Sequence, residues 1–237
     1  MTHDEAVRAR FGENSEAVIA HARGQVGQVR ERLRAWLAPL HGDERVLDAG
    51  TGAGVLALAL APFVGEVVGV DLVPELLAAA RDGAPVNATF VEADVTSLPF
   101  DDESFDLACS RRTLHHVGRP ELALAELVRV TKRGGRVFVD DQIAPADPLA
   151  AFELDRFERA RDPSHHRTLS DGDFRDLFAA NGLTLVRSEA FNHKRELNHY
   201  LFLAGCAGEE AERVRSLSPG DCEHYVAQSA WYLCVRR

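Results

Sequence analysis

An α/β fold, built on a mostly parallel sheet with helices on both faces, is what this 237-residue sequence predicts. Three observations predict it. Short apolar runs of strand type alternate with helical patterns between residues 45 and 140, and strands that alternate with helices in this way pair in parallel through right-handed crossovers. A glycine-rich segment sits where the first strand passes into the next helix. The composition, 46% apolar and 27% charged, is that of an ordinary folded domain long enough to bury a core without staples.

The elements follow in order. The first forty residues read as helix, with Val26, Val29, Leu33, Trp36 and Leu37 on one apolar face, ended by Pro39 and a Gly42-Asp43 turn. Arg45-Val46-Leu47-Asp48 is a short buried strand, and Val55 to Ala61 a helix that stops near Pro62. Glu66 to Asp71 is the second strand, and Pro74 suits the first turn of a helix from Pro74 to Arg81. Ala88 to Glu92 and Phe105 to Cys109 are strands three and four. Pro120 to Thr131 is helical, and Gly134-Gly135 turns the chain into a fifth strand, Arg136 to Asp140. Beyond residue 141 the pattern changes. Leu149 to Ala160 and Asp171 to Ala180 read as helices, the second closed by Asn181-Gly182, which both tolerate a left-handed cap. Leu183 to Ala190 and Ala230 to Arg236 read as strands, while 193–228 is mixed and polar and receives no assignment. The expected organisation is one domain over 1–237, with an N-terminal helical lid (1–42), a ligand-binding core (43–141) and a C-terminal part (142–237) that carries an insertion, substrate-side elements and the last strands.

Composition excludes some functions. Asp and Glu outnumber Lys and Arg by 37 to 27, a formal net charge of −10, which disfavours nucleic-acid partners and anionic membranes. No basic-plus-apolar leader opens the chain, and the longest near-apolar stretch, Val55 to Val64, is too short to span a bilayer. Cys109, Cys206, Cys222 and Cys234 form no C-x-x-C pair, so a zinc ribbon is not expected, and reduced thiols in a cytoplasmic setting are.

Ligands in open parallel sheets bind outside the carboxyl ends of the strands. That directs attention to Asp48, Asp71, Asp94 and residues 110–116. Val46-Leu47-Asp48-Ala49-Gly50-Thr51-Gly52-Ala53-Gly54 lies at such a strand end. The dinucleotide spacing G-x-G-x-x-G fails, because Val55 holds its third position, and no Lys follows for a phosphate loop. The pattern is D-x-G-x-G-x-G. A carboxylate there repels a pyrophosphate and attracts an ammonium or sulfonium.

Residues 46–54 resemble motif I of the class I S-adenosylmethionine-dependent methyltransferases, and the flanking signals agree in order and spacing. The resemblance implies a Rossmann-like, seven-stranded, mostly parallel sheet with S-adenosylmethionine held by Asp48, Gly50, Thr51, Gly52 and Gly54. It implies that Asp71 takes the ribose hydroxyls, Leu72 packs on the adenine, Asp94 accepts from the adenine amino group, and the Val95 N–H meets a ring nitrogen. Ser110 to Val117 resembles the segment after strand four that borders the transferred methyl. Ser110 and Arg111 join the cofactor-binding set on that ground, and His115 and His116 are the catalytic candidates. Thr131 to Val137 resembles the turn into strand five. The likeness runs from about residue 7 to 190 and is greatest to the small-molecule, ubiquinone-biosynthesis-like branch. The stretch 161–167 also resembles a segment of bacterial members of that branch. Val18 stands where many relatives carry a Tyr over the cofactor, with Phe11 as the nearby aromatic.

Other residues invite two readings each. An imidazole at 115 or 116 can act as a general base near neutrality or simply shape the pocket. His165 and His166 read as a solvated loop in which Ser164 begins a polar turn, or as a pair reaching over the pocket. Arg111 and Arg112 can neutralise an acidic substrate or the cofactor carboxylate. Asp140-Asp141 can face the substrate or, with a third carboxylate, hold a divalent cation, although no metal site is expected. Phe152, Phe157, Phe174, Phe178, Phe191, Tyr200 and Phe202 are core or cavity lining. The function expected is in-line methyl transfer to a small organic acceptor by a monomer or homodimer. The alternatives are the same fold with its cofactor kept for decarboxylation, hydroxylation or cyclisation, or a non-catalytic binding protein.

Overall fold

β1 (Arg45–Ala49) is apolar along almost its whole length and buries all but its first residue, as a strand covered on both faces must. It lies between β2 and β4 in the interior of a seven-stranded sheet ordered β3-β2-β1-β4-β5-β7-β6. The computed structural model describes residues 3–220 and 223–237, so Met1, Thr2 and Cys222 of the sequence reading lie outside the described residues. The other strands are β2 (Glu66–Asp71), β3 (Ala88–Glu92), β4 (Phe105–Arg111), β5 (Thr131–Gln142), β6 (Leu183–Glu196) and β7 (His224–Arg236). β1 to β5 pair in parallel, and β7 runs antiparallel between β5 and β6. The chain moves outward from β1 to β2 and β3, then returns to the other side of β1 for β4 and β5. The crevice at that reversal is where a ligand site forms.

The helices are α1 (His3–Glu13), α2 (Ser15–Trp36), α3 (Val55–Leu60), α4 (Pro74–Arg81), α5 (Pro120–Val130), α6 (Pro148–Arg161), α7 (Asp171–Ala180), α8 (Leu197–Leu203) and α9 (Gly208–Arg215). The core lies on both faces of the sheet. Leu47, Val70, Leu124, Leu127, Phe174, Phe178 and Tyr232 pack on one face. Leu33, Trp36, Leu56, Leu107, Phe138 and Trp231 pack on the other. There Trp36, Phe138 and Trp231 meet edge to face, with centroids 5.3–5.8 Å apart, the geometry aromatic quadrupoles favour.

Several expectations are corrected. The first forty residues form two helices, broken at Asn14, and the second ends at Trp36, where Leu37 N closes on Leu33 O. At the end of α7 only Gly182 is left-handed (φ +70°), whereas Asn181 has φ −97°. The described residues of segment 193–228 form the end of β6, α8, α9 and the start of β7. Leu154, Phe157, Leu197, Leu201, Val214 and Tyr225 give it a small core of its own. Phe157, Phe174 and Phe178 are core, while Phe152 and Phe202 are exposed.

Candidate active site

The carboxyl ends of β1, β2 and β4 open onto a cavity of about 940 Å³, roofed by α1 and α2 and bounded on the far side by β6. That volume is near the top of the range of roughly 300–1,000 Å³ for small-molecule sites.

The glycine loop is shaped by what its backbone must do. Gly50 N and Thr51 N both donate to Val70 O, at 2.9 and 2.8 Å, which draws the loop onto β2. Gly50 has φ +74°, and a Cβ there would lie 2.2 Å from Thr113 Oγ1, so a side chain fails twice, by dihedral and by space. Asp48, buried beneath the loop, accepts through Oδ2 from Thr51 Oγ1 (2.7 Å) and Ala57 N (3.0 Å). Its Oδ1 is buried without a hydrogen-bond partner. Burial pushes this carboxyl up to about 6, against the opposing Thr51 and Ala57 hydrogen bonds. An unpaired buried carboxylate oxygen on a cavity wall fits a cationic ligand group.

Asp71 accepts from Gly52 N (2.7 Å) and Val73 N (3.0 Å), and burial raises its pKa despite both bonds. Each oxygen retains a further lone pair, so the carboxylate still suits a vicinal diol. Asp94 is fixed by Thr96 N (2.8 Å) and Thr96 Oγ1 (2.7 Å). Asp48, Gly50, Thr51, Gly52, Asp71, Leu72, Asp94, Val95 and Arg111 all line the one cavity. Gly54 is left-handed (φ +84°) just ahead of α3 and forms no part of the wall, and Ser110 is buried within β4 rather than facing the cavity. These two sequence-derived positions therefore support the site from behind. The residues on the wall fit S-adenosylmethionine: a carboxylate for its ammonium, a carboxylate for its ribose, and a carboxylate with a neighbouring backbone N–H for its adenine.

The two candidate histidines part company. His116 is on the cavity wall and His115 is not. His115 turns toward the sheet, where Nδ1 meets Asp141 Oδ1 at 2.5 Å. His116 Nδ1 lies 3.0 Å from Ser164 Oγ, which in turn lies 2.5 Å from Asp162 Oδ1. Burial opposes the charge of Asp162, but the facing His116 ring, Arg161 Nη2 3.7 Å away and Arg10 Nε 3.2 Å away hold it well below the usual carboxylate range. An ionised carboxylate only accepts, so the single hydroxyl proton of Ser164 goes to Asp162 and the hydroxyl accepts from His116 Nδ1–H. That assigns the tautomer and leaves the lone pair on Nε2. Burial first, and the adjacent His115 ring second, push His116 down to about 3, so it is neutral at ordinary pH. Phe11 packs edge-on against the His116 ring at 5.2 Å.

Ser164 and His165, expected on a solvated turn, are buried. The loop docks because His166 N (2.8 Å) and Arg167 N (3.2 Å) both donate to His115 O, and His165 Nε2 reaches Asp155 Oδ1 at 3.1 Å. Asp140 is taken by Arg111 (3.1 Å) and Arg112 (3.6 Å), and Asp141 by His115 and Leu114 N, so neither carboxylate stands open to a cation. Among the described residues no helix is long and apolar enough to cross a membrane.

Two sets of wall residues lie largely outside the sequence reading, which singled out only Val18 and Phe191 among them. One is the face of α2 bearing Val18, His21, Gln25, Gln28 and Arg32, where Gln25 Oε1 accepts from Arg111 Nη2 at 3.0 Å. Spacings of three and four mark this face, but its polarity hid it beside the apolar stripe. The other is the β6 face of Phe191, His193 and Arg195, signalled by alternation with the exposed Asn192, Lys194 and Glu196.

Comparison with known proteins agrees with this fold. Residues 47–139 match a family model described as a methyltransferase domain. The chain is 33% identical over 181 residues, 75% of its own length and 72% of the relative's, to the uncharacterized methyltransferase YcgJ of Bacillus subtilis. It is 38% identical over 130 residues to the demethylmenaquinone methyltransferase of Clavibacter sepedonicus, a match spanning 54% of this chain and 53% of that one. The crystal structure of YcgJ from Bacillus subtilis superposes with a TM-score of 0.81 at 26% identity, covering 91% of this chain and 99% of the other.

Proposed function

The chain belongs to the S-adenosylmethionine-dependent methyltransferase family, and on that premise we propose that it passes the cofactor's methyl group to a small organic acceptor seated between α2, β6 and the loop after β4. S-adenosylmethionine, when bound, supplies a methyl already activated on a sulfonium, so the protein's task is chiefly alignment and exclusion of water. In this reading Asp48 Oδ1 pairs with the cofactor ammonium, Asp71 holds the ribose diol, and Asp94 with Val95 N–H holds the adenine edge against Leu72. Gly50 lets the backbone approach, and Arg111, on the same wall as Asp48, meets the cofactor carboxylate.

His116 is assigned the proton-accepting position. Support comes from its place on the wall and from the Ser164–Asp162 relay, which keeps Nε2 unprotonated. That nitrogen accepts a hydrogen bond from the acceptor's nucleophilic group and, as a ring held near 3 is a weak base, takes its proton once the methyl has bonded to that group and made it strongly acidic. His115 acts through His116 as a positioning residue, its ring 4.2 Å from the His116 ring and anchored by Asp141. A small acceptor is favoured by the size of the cavity and the acidic overall charge. Cys109, Cys206 and Cys234, as free thiols, suit a cytoplasmic setting.

The observation that carries the proposal is the unpartnered Asp48 Oδ1 on the same wall as Asp71 and Asp94. Calorimetric titration with S-adenosylmethionine and with S-adenosylhomocysteine tests it. Saturable one-to-one binding that weakens at least tenfold in Asp48→Asn is expected, and folded protein that binds neither compound overturns the reading.

A further inference from the structure

The far half of the cavity is lined with positive charge that the cofactor does not account for. β6 places Phe191, His193 and Arg195 on one face, His193 and Arg195 about 6.6 Å apart along the strand. From the end of β4, Arg112 reaches the same wall, its Nη2 3.2 Å from His193 Nε2. Arg112 holds φ +55°, a region that residues other than glycine seldom adopt, while its own N donates to Asp140 O at 2.8 Å. A guanidinium only donates, so His193 accepts at Nε2 and carries its proton on Nδ1.

Charge balance is incomplete there. Arg111 and Arg112 share the single carboxylate of Asp140. Arg195 Nη1 donates to Tyr225 Oη at 2.8 Å. Its nearest acid, Glu158, is 3.9 Å away and already accepts from Gln142, Arg161, Tyr200 and Tyr225. Lys194, exposed between His193 and Arg195, adds a cation at the cavity's edge. Of the two acids on this strand, Glu189 is taken by Arg32 (3.6 Å) and Trp36 Nε1 (3.1 Å), and Glu196 is occupied in capping α8 through Asn198 N (2.9 Å) and His199 N (2.6 Å). The surplus positive field also reaches the two facing imidazoles. His193 is held down to about 4 by burial, Arg112 and Arg195, and His21 across the cavity is lowered by burial, His199 and the same arginines. A cofactor with one carboxylate leaves Arg112 and Arg195 unused once Arg111 has taken it.

We propose that Arg112, Arg195 and the His193 Nδ1–H form a subsite for an anionic group, a carboxylate or a phosphate, carried by the methyl acceptor beside Phe191. The acceptor is then an organic acid or a phosphate ester, tethered by its charged end and presenting its nucleophile toward the cofactor half. This rests on the methyl-transfer reading of the cavity.

Benzoate, phenyl phosphate and benzamide, titrated into protein loaded with S-adenosylhomocysteine and followed by NMR shift changes, test the subsite. At least one anion should bind tenfold or more tightly than the neutral amide, with affinity falling as salt rises, and the tighter anion identifies the group. Arg112→Gln should abolish most of that preference. Arg195→Lys should retain part of what Arg195→Gln loses, and if the glutamine variant does not fold, the acid-to-amide ratio of the unmutated protein decides alone. Benzamide binding as well as both acids, neither acid binding at millimolar concentration, or an Arg112→Gln variant indistinguishable from the parent overturns the proposal. The same titration without S-adenosylhomocysteine separates the two inferences. If the nucleoside fails to bind while the acids still discriminate, the cofactor reading falls and the anion subsite stands.

Discussion

Asp141 anchors His115 at two points, with Oδ1 2.5 Å from the ring Nδ1 and Oδ2 accepting from Leu114 N, the residue just before it, at 2.8 Å. Burial alone would raise the Asp141 carboxyl, yet the His115 ring holds it below its ordinary range. The pair therefore fixes the loop after β4, and the consequence appears at the next residue. His116→Ala should lower kcat by about 10²–10⁴-fold, the usual range for a general base. His115→Ala should lower it by about tenfold or less. Single-turnover methyl transfer with the two variants measures this, and a larger loss at 115 reverses the assignment.

The raised Asp48 carboxyl makes cofactor binding depend on pH. Its folded-state value is about 6 against an ordinary 3.8, so in the free protein it takes up a proton as pH falls through 6. The bare protein gains stability from this group as pH drops from about 6 toward 4, because the folded state binds the proton more tightly than the unfolded one. Cofactor affinity runs the other way, since only the ionised form pairs with an ammonium. S-adenosylhomocysteine affinity should fall by up to about tenfold per pH unit below 6, with proton release on binding. Calorimetry in buffers of different ionisation enthalpy measures that release, and Asp48→Asn should remove it.

Gly50→Ala tests the loop. The added carbon meets Thr113 Oγ1 at 2.2 Å with φ at +74°. A loss of about 1–3 kcal/mol in stability is expected from the backbone strain, with S-adenosylhomocysteine binding lost. Opening the space with Thr113→Gly should restore only part of both, because the dihedral penalty persists. Thermal unfolding and titration of the double variant check the point.

Glu158 is the buried hub of the C-terminal half, accepting from Gln142, Arg161, Tyr200 and Tyr225. Burial opposes its charge, but Arg161 and Arg195 hold it well below 4.5. Its stabilising contribution is thus complete above pH 4.5 and is lost as pH falls further. Glu158→Gln removes the close partner of Arg161, leaving it only Asp162 at 3.7 Å, and the nearest acid to Arg195, and should cost about 3–5 kcal/mol, measured by urea unfolding at pH 7.

Strand and helix order through β5 was legible because each element has an apolar period set by its own geometry. Pro74 opens α4 as its fixed φ requires, and β3 runs over Ala88–Glu92 as its apolar run suggests. The acids at the strand ends were legible for the same reason: once Asp48 and Asp71 close buried strands, the sheet itself brings them together. Residues 191–196 were not, because β6 beyond Ala190 is mostly polar and half exposed, so its period is carried by His193 and Arg195 rather than by a run of apolar residues. The Asp162–Ser164–His116 relay was hidden by sequence distance, since only the docking of 162–167 onto His115 O joins the parts. Ser164 resembled a surface turn because nothing local reveals that a buried imidazole will face its hydroxyl.

Arg10 also bears on how ligands come and go. Its guanidinium lies 3.2 Å from Asp162 and donates to Leu203 O at 2.8 Å, with almost none of the side chain in contact with water. α1 is accordingly fastened rather than loose, since displacing it strips a cation from its counter-ion in a dry setting and also breaks the Arg8–Glu92 pair. If ligand exchange requires that displacement, a pre-steady-state burst of methylated product followed by a slower steady rate is the kinetic signature expected, measured by rapid quench.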